Sequence, residues 1–187
     1  PRGFTKSFET VLQRYDSYID RVADLMGVAD APRAGTPEGQ NACYEAPMGV
    51  SAAESFHIYR TIRSWKDFPR VGQTMGEQAQ SLMDAIQSRH QGKDPEKIRM
   101  GGKAVSEGRL TLIKEGKPCP FLDKSRGRCR IWEQRPAVCR MHFLRSDPDW
   151  SHPEHDRFED VDAVNIRWPL QAQVGLTQLD KRLNLQL

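Results

Sequence analysis

Apolar residues recur at three- and four-residue steps at Phe8, Val11, Leu12, Tyr15, Tyr18, Ile19, Val22, Leu25 and Met26. That spacing is the stripe of an amphipathic helix, and Gly27 predicts its end. Between Ala29 and Gly49 stand Pro32, Gly35, Pro37, Gly39 and Pro47. So many breakers predict a loop, with Cys43 inside it. A second helix is expected after Ser51, an apt N-cap with Glu54 three residues on in capping-box position. Phe56, Ile58, Tyr59, Ile62 and Trp65 would form its apolar side. A third helix reads from about Thr74 to His90, with Met75, Ala79, Leu82, Met83 and Ile86 on one face and Gly92 past its end.

The pattern then becomes less regular. A short helical turn is expected at Pro95, and the β-branched content of Leu110-Thr111-Leu112-Ile113 predicts a short strand. Val161, Val164, Ile166, Trp168 and Leu170 form an apolar patch of ambiguous period. Leucines at 176, 179, 183, 185 and 187 predict a docking helix or arm, seated either on its own domain or on a protein partner. His57 and His90 fall on predicted helices, facing solvent or the core boundary. The expected fold is mainly α: one small helical domain over residues 1–187, with an irregular cysteine-rich metal-binding segment and an extended C-terminal arm. Its parts are a helical region (1–108), the cysteine-rich segment (117–145), and an acidic segment leading into the arm (146–187).

Composition adds a constraint on stability. Only 37% of the 187 residues are apolar, and the 14 glycines bring the total just to the low end of the usual range of roughly 45–50%. The core is modest, so a bound metal or a partner surface would add to its stability. No window approaches the ~20 apolar residues of a membrane span, and the first residues lead into a polar helix rather than a signal-peptide core. A soluble, cytoplasmic protein is expected. In a reducing compartment its cysteines suit metal binding better than disulfides, although two disulfides would fit an exported chain.

Charge is segregated along the chain. Residues 117–145 hold eight basic side chains against Asp123 and Glu133, a net of +6. Residues 147–162 hold seven acids against Arg157, a net of −6. The two segments could pair with each other or recruit different partners. The basic one, with Trp132 and Phe143, is a candidate nucleic-acid surface; its arginines alternatively offset the charge of a metal centre, or simply lie in solvent.

The chemistry-bearing residues are the four cysteines. Cys119, Cys129 and Cys139 are separated by nine residues each, and Cys43 stands 75 residues before Cys119. Three thiolates so close in sequence can converge, and Cys43 would join them through the fold as a long-range fourth ligand. Four thiolates match the positions of a tetrahedral ion or of a cuboidal cluster. The alternative, small buried hydrophobes, fits less well because the neighbours are Pro and Arg, and basic neighbours favour the thiolate. Structural zinc sites usually present Cys-x2–4-Cys knuckles, which this chain lacks, whereas wide spacing suits a [4Fe–4S] cluster. The cluster is therefore expected ahead of Zn2+. His142, three residues after Cys139, is the best substitute ligand, ahead of His152 and His155.

The ordered run Cys119-Pro120-Phe121-Leu122, Cys129-Arg130-Ile131-Trp132-Glu133 and Arg135-Pro136-Ala137-Val138-Cys139-Arg140 resembles the YkgJ-type cysteine-cluster family, described as zinc- or iron-chelating. Flagellin lysine methylases carry a similar motif, which the resemblance associates with an iron–sulfur centre. Val50-Ser51-Ala52-Ala53-Glu54 is similar to the family's helix start, but only Cys43 precedes it where the family has a tight group of cysteines. A single four-ligand site is the simplest transfer. The chain has no nucleophile elbow, phosphate-binding glycine loop, zinc-protease helix or dinucleotide fingerprint. A non-enzymatic metal protein is expected, with a structural or electron-transfer role within an assembly. A zinc-binding interaction module and a subunit of a modifying enzyme with a structural cluster are the alternatives.

Overall fold

The protein is described here by a computed structural model covering residues 2–45, 50–89, 108 and 110–184. The fold is mainly α. Helix α1 (Arg2–Leu25) follows the apolar stripe and buries Phe8, Leu12, Tyr15, Ile19 and Ala23. The Pro/Gly-rich stretch after it is less irregular than its breakers suggest. Amide-to-carbonyl bonds from Ala42, Cys43 and Tyr44 to Gly39, Gln40 and Asn41 wind a helical turn, α2 (Ala42–Glu45), so Cys43 sits on a helix and not in a loop.

Helix α3 (Ala52–Ile62) starts as expected. The Ser51 hydroxyl accepts from the Glu54 amide at 3.2 Å, and the Glu54 carboxylate accepts from the Ser51 amide at 2.9 Å. Its buried face differs from the expected one. Ile58 and Ile62 are buried with Ala53, Glu54 and His57, while Phe56 and Tyr59 are exposed and Trp65 lies beyond the helix end. Helix α4 (Phe68–Arg89) begins six residues before Thr74, with Pro69 in its first turn. It buries Val71, Gln78, Ala85 and Ile86, whereas Met75 and Met83 of the expected face stay exposed. The expectations for His90 and Pro95 fall outside the described residues.

Residues 110–114 are helical (α5), not a strand. Leu112 and Ile113 are buried and Leu110 is exposed. Four residues are too few to separate a period of 2 from one of 3.6, and Gly116, at φ 64°, ends the helix by letting the Lys117 amide reach the Leu112 carbonyl at 3.4 Å. The chain then forms a hairpin of β1 (Leu122–Asp123) and β2 (Arg128–Cys129), with Leu122 paired to Cys129. A 3-10 turn (Trp132–Gln134) and α6 (Ala137–Arg140) follow. Strand β3 (His142–Leu144) pairs antiparallel with β4 (Ala163–Asn165), Phe143 opposite Val164.

Two larger apolar clusters organise the molecule. In one, Tyr15, Ile19 and Val28 meet Ala137, Phe143, Ile166 and Trp168, the Tyr15 and Trp168 rings stacking at 3.8 Å between centroids. In the other, Ile58, Ile62, Val71, Phe121 and Ile131 pack together with Cys119 and Cys129 at their edge. Of the C-terminal leucines, those at 176, 179 and 183 are on helix α7 (Leu170–Asn184), where Leu176 and Leu179 cover Phe8, Leu12 and Ala53, while those at 185 and 187 lie outside the described residues. Through these two leucines α7 docks on its own domain. No helix among the described residues is long and apolar enough to cross a membrane.

His57 departs from its expected boundary position: it is 2% exposed, edge-on to Phe8, and neither ring nitrogen meets a hydrogen-bond partner among the described residues. Burial lowers its pKa from the ordinary 6.5. The unfolded chain therefore binds the extra proton first as the pH falls below 6.5, and stability drops with falling pH in that window. Urea midpoints measured from pH 7.5 down to pH 5 are expected to fall more steeply for the unaltered protein than for His57→Leu. The difference is at most about 1.4 kcal/mol per pH unit. Equal slopes would remove His57 from the acid response.

Candidate metal centre

Cys43, Cys119, Cys129 and Cys139 all line one cavity of about 280 Å3. Four separate pieces of backbone bring them there. The Cys119 amide donates to the Cys43 carbonyl at 3.1 Å, joining α2 to the start of the cysteine-rich segment. The Cys129 amide donates to the Gly35 carbonyl at 3.0 Å, tying the hairpin to the Pro/Gly-rich stretch. Cys139 rides on α6, whose first amide, that of Ala137, donates to the Glu54 carboxylate at 2.7 Å. The same carboxylate caps α3, so Glu54, 4% exposed, closes the starts of two helices at once. The capping box announced the first bond in the sequence; nothing local announced the second.

The remaining wall comes largely from apolar side chains, among them Ile58, Met75, Ala79, Leu82, Phe121 and Ile131. The apolar face anticipated for the third helix thus exists in part, but Met75, Ala79 and Leu82 turn it toward the thiols rather than into a core. Gln78, buried in the same wall, donates to the Pro118 carbonyl at 2.9 Å and fixes the entry to Cys119.

The thiols are neutral in this environment. Burial pushes Cys43 and Cys119 up to about 12 and raises Cys129 and Cys139 as well. The neighbouring arginines were expected to favour thiolates, but loss of water outweighs them. Binding a metal would therefore release protons from all the ligating thiols.

Arg135 lines the cavity beside them and is 4% exposed. Its guanidinium donates to the Ala34 carbonyl at 3.0 Å and the Trp132 carbonyl at 3.1 Å, and lies 3.2 Å from the centre of the Trp132 ring. No carboxylate pairs with it among the described residues, and burial together with the adjacent Arg140 lowers its pKa to about 10. Arg140, equally buried, has the Asp16 carboxylate and the Arg135 carbonyl as partners. A buried cation without a counter-anion is costly, and a site of thiolates beside Arg135 would supply one.

The histidines do not join this site. His142 is buried in β3 with Nδ1 2.9 Å from the Asn165 side-chain oxygen, His152 stands against the Tyr44 ring, and His155 lies beside Asp156. None of the three lines the cavity. Among the described residues, no three His, Cys, Asp or Glu side chains are gathered tightly enough to hold a single ion as they stand.

Gly35 is the constraint that sequence reading passed over as one breaker among several. It has φ 88°, and a Cβ there would sit 2.8 Å from the Cys129 Cβ. Both the backbone conformation and the close approach exclude a side chain. Gly35→Ala is expected to cost about 1–3 kcal/mol and to lower metal content by displacing Cys129, as read by thermal unfolding and elemental analysis. Full stability and full metal content would show that the turn can relax.

No curated protein and no solved structure matches the chain. Residues 72–162, just under half of its length, match the CxxCxxCC family model, described as "Putative zinc- or iron-chelating domain". The matched region contains Cys119, Cys129 and Cys139 but not Cys43, which only the fold brings to the same cavity. Over residues 72–162 the chain is thus similar to that family, the YkgJ-type cysteine-cluster proteins.

Proposed function

We propose that the protein holds one [4Fe–4S] cluster through Cys43, Cys119, Cys129 and Cys139, with a structural or electron-transfer role. The observation that carries this reading is the shared cavity of about 280 Å3. That volume is far above the roughly 30 Å3 share of one water molecule, the scale of a single ion. A wide cavity bordered by thiols that do not close on one point favours an occupant with several metal atoms over a lone tetrahedral zinc. Four thiolates around such a cluster leave a net charge of −2, for which Arg135 is the buried counter-charge. With every iron ligated by protein, the centre would have no open position for substrate, which favours a structural or electron-carrying role.

Protein prepared without oxygen is expected to be brown and to contain about four irons and four acid-labile sulfides per chain. Cys119→Ser, Cys129→Ser, Cys139→Ser and Cys43→Ser should each lose most of the metal and unfold at lower temperature, because ligand binding contributes folding energy. A variant that keeps full metal content removes its cysteine from the ligand set. One zinc per chain with neither iron nor sulfide, in protein isolated anaerobically from its native source, would replace the cluster with zinc.

Arg135→Met separates the charge role from a packing role. Without metal, removing a buried cation that has no acid partner should leave stability unchanged or higher. With metal, the same change should weaken retention and make the centre harder to reduce, measured by chelator challenge and redox titration. Equal destabilisation of both forms would assign Arg135 to packing alone.

A further inference from the structure

We infer that the face built around the β1–β2 hairpin binds single-stranded nucleic acid. A cleft of about 780 Å3 is bordered by Trp65, Lys66, Arg128 and Trp132, and it shares Asp67, Asp123, Arg126 and Arg130 with a second cleft of about 810 Å3 that Lys124 borders. The two form one continuous surface, independent of which metal the thiols hold. It is narrower than the whole basic segment: Arg135, Arg140 and Phe143 are buried and border neither cleft.

The charges on this face are not all balanced internally. Arg130 forms a two-pronged pair with Asp67, both bonds 2.8 Å, and Arg126 stands 3.9 Å from Asp123. Lys66, Lys124 and Arg128 are exposed and form no ion pair among the described residues. The acidic stretch 147–162 does not neutralise them either, since no described ion pair links it to residues 117–145. Three cations unpaired among the described residues, bordering the two joined clefts, attract a polyanion.

The aromatic groups select the kind of polyanion. Trp65 and Trp132 border the same cleft, and each is steadied by a guanidinium on its ring: Arg130 at 4.0 Å from the Trp65 centre, Arg135 at 3.2 Å from that of Trp132. Trp132 keeps 37% of its surface exposed. An indole beside free cations offers base stacking next to phosphate neutralisation, the combination that single strands use. An acidic polypeptide has no base to stack, and a duplex keeps its base faces inside its own stack.

The test is titration of the full chain, with its native metal, by a short oligothymidylate while tryptophan fluorescence is followed. Quenching is expected at low salt, with the logarithm of the affinity falling against the logarithm of salt with a slope of about −2 for three phosphates. The double variant Lys66→Glu/Arg128→Glu should bind about tenfold more weakly or worse and with a shallower slope. Trp132→Leu should lose much of the quenching. Should the charge-reversed variant fail to fold, the salt slope and the quenching of the unaltered protein decide the matter. Absence of binding at low salt, a slope near zero, duplex binding as tight as single-strand binding, or displacement by an equal concentration of polyglutamate would each overturn the assignment.

Discussion

The hydrogen bond from the Cys119 amide to the Cys43 carbonyl, with its counterpart from Cys129 to Gly35, is the constraint on which the candidate centre depends. These bonds join the stretch after α1 to a segment more than seventy residues later. They are backbone bonds, so they fix where the cysteines emerge before any side-chain chemistry is considered. Gly35 completes the arrangement, because only a residue without a Cβ lets the two strands of chain come so close. Glu54 extends it by holding the helix that bears Cys139 against the one that supports the second apolar cluster.

Electrostatics divide the arginine-rich segment into parts with different work. Arg140 is buried with an acid partner, Arg130 is tied to Asp67, and Arg135 is buried with no carboxylate partner among the described residues. A run of like charges in sequence is therefore several different local situations in space. The thiols beside Arg135 are held neutral by the same burial that makes its charge costly. A bound metal would reverse both conditions together, creating thiolates where a cation already waits.

The modest core is consistent with this division of labour. Cys119 and Cys129 border the cluster of Ile58, Val71, Phe121 and Ile131, so the candidate centre adjoins the apolar packing rather than standing apart from it. Met75, Ala79 and Leu82 face the cavity and so are apolar without being core. Helix α7 closes the other side of α3 with Leu176 and Leu179, which accounts for these two leucines of the tail.

Local chemistry in the sequence determined the features that need only neighbours: α1 and its stop at Gly27, the capping box of Ser51 and Glu54, and the regular spacing of Cys119, Cys129 and Cys139 with the motif around them. Short or ambiguous signals gave way to the fold. Residues 110–114 became a helix because a four-residue apolar run carries no period of its own, and the Pro/Gly-rich stretch wound a turn at Cys43 because its breakers fall before and after that turn. Which face each helix buries was a tertiary decision, as Phe56 and Tyr59 in solvent and His57 in the interior demonstrate. So was the meeting of Cys43 with the other three thiols and the exclusion of His142. Sequence records the identity of a donor and its distance along the chain, whereas convergence in space depends on hydrogen bonds and packing between segments that carry no mark of one another.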